Sequence, residues 1–468
     1  MPVLLHFALP FIFPNVNAIY LMNFAEATQY LLSLGHETIA IKLGLRNIIL
    51  LLERLGNPQH SFESVQIAGT NGKGSTAVML EAICRAASIS TGLYTSPHLV
   101  SITERIRIEG REIEPGPFAE IASEVRKAAE DLVSSAKLAV LPTFFEHVTA
   151  IALVAFSRAR IELAILETGL GGRLDATTAV GARTVAITPV SLDHQDYLGN
   201  TLAEIASEKA AVIHHDSLVV VAPQFEIARN VIIERCRECD VNPIWSTEDI
   251  SAEPNHLGYT FRTENAVYER VLPGLRGAHQ LTNAATAIAL AETLGSHGFV
   301  IGRNAIVAGL QAARHPGRLE VFESATDKSG SVFVLLDGAH NAAGAAALRT
   351  YLASAENLKN IPITLVFGAM ADKQLDEMAA TLFPVASRLI LTQPRNPRAT
   401  NVDALRQLAA KYAREVPAEI ANDSNAAMER AISLGTTGSM ICVTGSLYLV
   451  GEVRQWLETH YGPTGHFS

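Results

Sequence analysis

The chain is poor in several things, and each shortage removes a class of protein. Its 468 residues include only four cysteines, which cannot make a disulfide framework in so long a chain. Charged residues are only 18% against 48% hydrophobic, so disorder is not its dominant state and its apolar content suits globular cores. Positive charge is in deficit: 37 Lys and Arg face 47 Asp and Glu, a net charge of −10. A protein built to grip nucleic-acid backbones leans the other way. Anionic ligands must therefore be held by local glycine loops and a few placed cations. A long, unbroken apolar run is also missing. Residues 1–22, MPVLLHFALPFIFPNVNAIYLM, carry three prolines, no basic n-region and no small-x-small cleavage site. They are too short and broken for a spanning helix. The reading adopted is that translation starts at Met22, that 1–21 is an extension without native structure, and that the protein is cytoplasmic. The rival reading is a weak membrane or export segment.

What remains is alternation. At roughly 150 residues per domain the length predicts two or three domains. Short β-branched runs recur, each followed by a glycine or polar turn and a helical pattern: Ser64–Ala68, Ile161–Leu166, Thr184–Thr188 and Leu218–Ala222. A second series begins near residue 331 with VFVLLDGAHN, ITLVFGA, RLILTQP and MICVTGS. Strands alternating with helices predict parallel α/β sheets. Pro316-Gly317 is a candidate hinge, so the domains are placed at 22–315 and 316–468. The chain shows no repeat at solenoid spacing and no low-complexity tract.

Ligands in such sheets bind at the carboxyl ends of the strands. Three predicted strand ends carry Gly69-Thr70-Asn71-Gly72-Lys73-Gly74-Ser75, then Glu167, then Asp193-His194. The glycines let backbone N–H groups turn toward a polyphosphate, Lys73 neutralises it, and an amphipathic helix over 75–87 adds its positive end. The spacing departs from G-x-x-x-x-G-K-[ST], since Ile67 stands where the first glycine belongs. Ser96, in LYTSPHL, joins Glu167 and His194 as a possible magnesium shell, completed by water and phosphate oxygens. The histidine makes Mn²⁺ an acceptable substitute. Each residue alone has an ordinary reading, a solvated turn or a Ser-Pro bend; their convergence on one edge raises the odds.

These residues together resemble the folylpolyglutamate synthase/dihydrofolate synthase family, of the wider Mur-ligase type. The matching stretches are AGTNGKGS (68–75), YTSPHL (94–99), TFFEH (143–147), ETGLGGRLDAT (167–177), LDHQDYLG (192–199), SEKA (207–210), HPGRLE (315–320), DGAHN (337–341) and TGSLYLVGEV (444–453). They stand in family order and cover nearly everything from Met22 onward. The resemblance implies a large N-terminal P-loop-type parallel-sheet ATPase domain and a smaller C-terminal Rossmann-like α/β domain, with the active site between them. It implies that Thr70, Asn71, Gly72, Lys73, Gly74 and Ser75 hold ATP, helped by Asn283, Arg318 and Asp337. Ser96, Glu167, His194 and Lys209 would bind Mg²⁺, Lys209 as a CO2-derived carbamate. Lys73, His194 and Lys209 are the catalytic candidates. On its own pattern, ASEKAA, Lys209 reads as an ordinary helix-surface lysine. Dihydropteroate or a reduced folate would lie along Thr143, Phe144, Phe145 and Glu146 and near Leu174, Asp175 and Ala176; the two phenylalanines could equally be core. His340 and Ser446 would take L-glutamate. The implied activity is ATP-dependent ligation of glutamate through an acyl phosphate, by a monomer without nucleic-acid or membrane partners.

The departures are Thr178, Ala211, Ala342 and Lys42 in ETIAIKLGL (37–45). Within the ligases, a peptidoglycan-type enzyme would share the loop and the magnesium chemistry; outside them, a regulatory ATPase would need no amino-acid site. The lone CxxC of Cys236 and Cys239 lacks the further ligands zinc needs, and is expected on a surface helix open to oxidation. His214-His215 shows no metal spacing. Arg395 and Arg398 read as a solvated loop, with a place beside a polyanionic folate tail as the second reading.

Overall fold

A computed structural model of the chain describes residues 21–35, 44–326, 330–354 and 361–461. Residues 1–20 of the apolar extension, and Lys42 with most of its motif, lie outside the described residues.

The first sheet has eight strands: β1 (Glu63–Ala68), β2 (Thr91–Tyr94), β3 (Ile106–Ile108), β4 (Arg111–Glu112), β5 (Leu163–Glu167), β6 (Thr184–Ile187), β7 (Leu218–Val221) and β8 (Pro243–Trp245). Their order is β4-β3-β2-β5-β1-β6-β7-β8. From β2 to β8 across the sheet every pairing is parallel, while β3 and β4 add an antiparallel edge. The inner strands are near-continuous apolar runs because helices cover both faces. The chain lays β2 and β5 on one side of β1 and β6 to β8 on the other. That reversal opens a crevice at the carboxyl end of β1.

The helix after β1, Lys73–Ala86, differs from its expected amphipathic form. Every residue from Gly74 to Cys84 is buried. The sheet takes one side of it, and helices His279–Thr293 and Arg303–Ala312 take the others. The approach is close: a Cβ on Gly309 would sit 2.3 Å from the Ile83 Cα. A three-stranded antiparallel ribbon, β9 (Ser251–Asn255), β10 (Gly258–Arg262) and β11 (Val267–Val271), follows β8.

The second sheet begins after residues 313–319. It comprises β12 (Glu320–Thr326), β13 (Gly330–Leu336), β14 (Ile363–Phe367), β15 (Arg388–Leu391), β16 (Ala418–Ile420) and β17 (Met440–Thr444), in the order β12-β13-β17-β14-β15-β16. Only β12 runs antiparallel. Leu99, from the first domain, packs against the core of the second beside Val450 and Leu449.

Cys236 and Cys239 correct an expectation. Both are free and buried, not exposed on a surface helix. Ala228, Ile232 and Cys236 stand four apart on helix Glu226–Glu238 and form its inward face. Burial pushes the Cys236 thiol up to about 11, which makes it a poor thiolate.

Candidate active site

Glycine geometry builds the loop after β1. Gly69 and Gly72 have φ of +142° and +88°. A Cβ on Gly69 would lie 1.9 Å from Thr188 Oγ1, so only glycine fits where the loop crosses the end of β6. The backbone N–H groups of Thr70 and Asn71 donate to Pro189 O at 3.1 and 3.2 Å. Their side chains bond Ser191 O and Ser191 Oγ at 3.1 and 3.0 Å. Those two residues therefore brace the loop. What it offers an anion is the N–H groups from Gly72 to Ser75, at a helix N-terminus, with Lys73 folded over it and donating to Thr70 O at 3.3 Å.

Glu167 ends β5 beside this loop. It is buried, and its Oε2 accepts the Ser96 backbone N–H at 3.1 Å. Burial raises its pKa, while the Lys73 charge, the Ser96 N–H, Arg318 and Arg105 act the other way. His194 sits at φ +50°, and burial pulls its ring down to about 4, so it is neutral at pH 7 with a free lone pair. Lys209 is not a surface lysine. It is 4% exposed, and its Nζ donates to Gly69 O at 2.8 Å. Burial, aided by the Lys73 charge, lowers it to about 7.

Thr143 and Glu146 cap helix Phe144–Ala159: Glu146 N donates to Thr143 Oγ1 at 3.3 Å, and Thr143 N to Glu146 Oε2 at 2.7 Å. The cap sets the helix entry angle and so places Phe144 and Phe145 on the cavity wall. The Arg105 guanidinium lies 5.4 Å above the Phe144 ring, and Phe145 tilts against Tyr94. Asp175 spends its oxygens on its own loop, accepting from Gly169 N, Leu170 N, Thr177 N and Thr177 Oγ1 at 2.6–3.0 Å.

The second domain brings Arg318, whose Nη1 donates to Gly338 O at 3.2 Å. Asp337, at the end of β13, accepts from Leu319 N and Ala339 N, both at 3.0 Å. His340 and Ser446 lie at the ends of β13 and β17. His340 Nδ1 is 2.7 Å from Gly338 O, and burial draws the ring down to about 4. One cavity of about 530 Å³ lies between the two sheets. Every residue proposed from the sequence lines it, including Asn283, Leu174 and Ala176.

Three lining or flanking residues carried no assigned role in the sequence. Lys373 Nζ donates to Asp193 Oδ1 at 2.7 Å, and Asn341 Nδ2 to Asp193 Oδ2 at 3.1 Å. Asn341 Nδ2 also reaches Asn71 Oδ1 at 3.1 Å. A buried polar network thus ties the second domain to the glycine loop after β1. Asp193 and Asn341 stood inside quoted motifs without a role; nothing in ADKQ marked Lys373. Arg398 corrects the solvated-loop reading in part, since it lines the cavity 3.7 Å from Asp372, while Arg395 is exposed.

Residues 67–291 match the Mur ligase middle domain, and 317–447 the Mur ligase glutamate ligase domain. A "Dihydrofolate synthase/folylpolyglutamate synthase" of Mycobacterium tuberculosis is 32% identical over 459 residues, 91% of this chain and 92% of that protein. The chain belongs to the Mur ligase family, in its folylpolyglutamate synthase/dihydrofolate synthase branch. A Haloferax volcanii protein named "Probable bifunctional folylpolyglutamate synthase/dihydropteroate synthase" is 36% identical over 445 residues, 92% of this chain. The chain spans about half the length of that relative, 50%. Among solved structures, the Mycobacterium tuberculosis folylpolyglutamate synthase complexed with ADP superposes with a TM-score of 0.85 at 31% identity, covering 95% of this chain and 99% of that one. The Yersinia pestis bifunctional folylpolyglutamate synthase/dihydrofolate synthase complexed with AMPPNP and Mn ion gives 0.79 at 29%, covering 93% and 98%. The family assignment and the α/β architecture agree with the sequence reading.

Proposed function

We propose that the chain is a bifunctional ATP-dependent carbon–nitrogen ligase, adding L-glutamate to dihydropteroate and to reduced folates. Residues 22–315 would bind ATP and the pterin, and residues 316–468 glutamate. The observation that carries this is the single cavity in which a phosphate loop, an aromatic wall and the strand ends of a second domain meet.

A carboxylate does not condense with an amine in neutral water, so it must first be activated. Its oxygen attacks the γ-phosphorus of ATP; an acyl phosphate forms and ADP leaves. The neutral α-amine of glutamate then attacks the acyl carbon, inorganic phosphate departs with the former carboxylate oxygen, and the nitrogen gives up one proton as the amide forms. The protein's part is positioning and charge compensation. Lys73, the N–H groups of Gly72 to Ser75, and Arg318 stabilise the charge on the transferring phosphoryl. Phe144 and Phe145 give a flat pterin an apolar wall. His340, Ser446 and the second domain hold glutamate and, packed against the first, keep water from the acyl phosphate.

A divalent cation fits the donors present. Glu167 is a buried carboxylate with one backbone N–H donor, His194 is a neutral imidazole and Ser96 adds a hydroxyl. Among the described residues no three His, Cys, Asp or Glu side chains cluster as a metal site. Magnesium, which keeps water and phosphate ligands, matches so sparse a set better than a metal wanting a full protein cage. Bound there, it would supply Lewis-acid stabilisation of phosphate charge. Lys209, lowered to about 7, has a large neutral-amine fraction at physiological pH, the form that adds CO2. A carbamate would turn a repelling cation into a carboxylate-like ligand. No helix among the described residues is long and apolar enough to cross a membrane; we take the protein as a cytoplasmic monomer.

The test is mass spectrometry of products. Purified protein receives Mg-ATP and glutamate, with dihydropteroate in one reaction and tetrahydrofolate in another. Glutamate added to both establishes the bifunctional reading. Addition to one only narrows the substrate. Addition to neither, with glutamate-independent ATP hydrolysis, overturns ligation.

A further inference from the structure

A polar side chain interrupts the core of the first sheet. Val65, Ile67 and Ala68 of β1 are buried and apolar, while Gln66 among them is an amide, 2% exposed. A buried amide costs stability unless its groups are paired. Its partners are two hydroxyls 111 and 112 positions away: Gln66 Nε2 lies 2.9 Å from Thr177 Oγ1 and 2.8 Å from Thr178 Oγ1. Both stand at the end of the loop that follows Glu167, and that loop lines the cavity with Leu170, Leu174, Asp175 and Ala176.

The protons in this contact can be placed. Each threonine hydroxyl has a single proton to give. Thr177 Oγ1 gives its own to Asp175 Oδ1 at 2.6 Å, and Thr178 Oγ1 to Gly172 O at 2.7 Å. Both oxygens must therefore accept from Gln66, whose amide nitrogen carries one N–H for each. Asp175 in turn takes four donors: Gly169 N and Leu170 N on Oδ2, Thr177 N and Thr177 Oγ1 on Oδ1. Its acceptor sites are then filled. The carboxylate closes the loop on itself, and the amide of β1 anchors the closed loop to the sheet at two points. The loop is also wedged between two other elements. A Cβ on Gly169 would stand 2.5 Å from Phe145 Cζ, and one on Gly172 2.8 Å from Glu208 O, on helix Leu202–Ala210.

We infer that Gln66 is a positioning residue for the acid substrate: through Thr177 and Thr178 it fixes the loop of residues 168–178 in one shape, as a preformed wall of the cavity. Asp175 has no acceptor site left for a ligand, so this wall meets the acid with Leu174, Ala176 and the Phe145 ring packed on Gly169. A wall held in place before binding loses little freedom when the substrate arrives. A loop without its anchor must be ordered by the substrate, which weakens binding of the acid and leaves phosphoryl transfer at Lys73 unaltered. Gln66 does not line the cavity; it acts only through the loop. The inference deepens the ligase reading and rests on it for the acid, but not for the anchoring of the loop.

The experiment joins amide hydrogen exchange to kinetics, on the full chain and on Gln66→Met, Thr178→Val and Thr178→Asn. Methionine keeps the shape of Gln66 without its N–H groups. Exchange in peptides from 168–178 should quicken about tenfold or more in Gln66→Met and Thr178→Val, with helix Lys73–Ala86 unchanged. In ligation of dihydropteroate or tetrahydrofolate, whichever is accepted, KM for the acid should rise about tenfold. Both kcat and calorimetric ADP affinity should stay within about twofold. Thr178→Asn offers an acceptor end to Gln66 and a donor end to Gly172 O, and should stay near the unsubstituted protein in both readouts. A merely structural role would quicken exchange in Lys73–Ala86 as well and lower kcat and ADP affinity together; that outcome, or unchanged exchange in 168–178, overturns the anchoring. Faster exchange with an unchanged KM shows that the loop is not the wall the acid meets. If the unsubstituted protein ligates neither acid, the ligase reading and the acid's wall fail together, and exchange alone decides whether Gln66 anchors the loop.

Discussion

The two sheets present the same kind of edge to the cavity and use it in opposite ways. At the ends of the first sheet, Lys73 and Glu167 turn their side chains to the cavity, and each makes a single bond to backbone. At the end of the second, Asp337 is consumed by backbone, accepting Ala339 N from its own turn and Leu319 N from the segment before β12. What the second sheet sends across the gap is Lys373 and Asn341, and both land on Asp193. The first domain turns Lys73 and Glu167 to the cavity. The second adds Arg318 and the ties that keep the two edges facing.

Breaking the first half of this contrast should have the largest effect. Lys73→Ala removes the cation from the phosphate loop and should lower ligation by about a thousandfold or more, with unchanged circular dichroism. Near-normal product formation would sink the phosphate assignment.

Breaking the tie comes next. Lys373→Met leaves Asp193 buried without its ammonium partner, a change that costs about 3–5 kcal/mol in comparable sites. Chemical denaturation should show it. The double variant Asp193→Asn with Lys373→Met should regain part of the loss, because no charge is then stranded. Equal stability of the single and double variants would mean the pair does not couple.

A third test concerns the apolar seat between the domains. A Cβ on Gly451 would stand 2.1 Å from Leu99 O, and one on Gly317 2.9 Å from Leu99 Cδ1. Leu99 follows Ser96 by three residues, so the loop carrying a candidate metal ligand is plugged into the second domain. Gly451→Val should cost about 1–3 kcal/mol through overpacking and depress ligation while ADP binding persists. Loss of ADP binding to the same degree would show that the whole crevice, not the seat, had been disturbed.

The smallest effect is on pH. His147 is fully buried, with Nδ1 3.1 Å from Thr143 O and Nε2 3.1 Å from Tyr30 Oη. Burial lowers it to about 4 in the fold, against about 6.5 in an unfolded chain. Between those values the unfolded state binds the extra proton. Stability is therefore level above pH ~6.5 and falls as pH drops toward ~4, by up to about 1.4 kcal/mol per pH unit for this one group. His147→Gln should shallow the slope of unfolding free energy between pH 6.5 and 5 without removing it, since His194, His279 and His340 shift in the same direction. An unchanged slope would show that His147 does not titrate with unfolding.

Much of this arrangement was legible in the residues. The strands before GTNGKGST, ETGLGG and DGAHN lie where the β-branched runs put them, because alternation and glycine turns are local properties. The inward face of Cys236 was legible too, in its four-residue spacing from Ile232 and Ala228, and was outweighed by the CxxC pattern. The ribbon β9 to β11 was not, since β9 is exposed throughout and contains Pro254, so no buried face alternates along it.

The sequence by itself determined the local form of the glycine loop after β1. Its two glycines and the helix that begins at a lysine are written in a few consecutive residues, although Pro189 and Ser191 from a distant stretch brace the folded loop. Only the tertiary structure decided which charges are buried and what they meet. Lys209 reads as a surface residue until the fold encloses it under Gly69. Lys373 finds Asp193 across 180 positions, and Gln280 finds Ser75 across 205. A side chain's charge state and hydrogen-bond partner depend on what lies within a few ångströms and on how much water is excluded, and spacing along the chain carries no record of either.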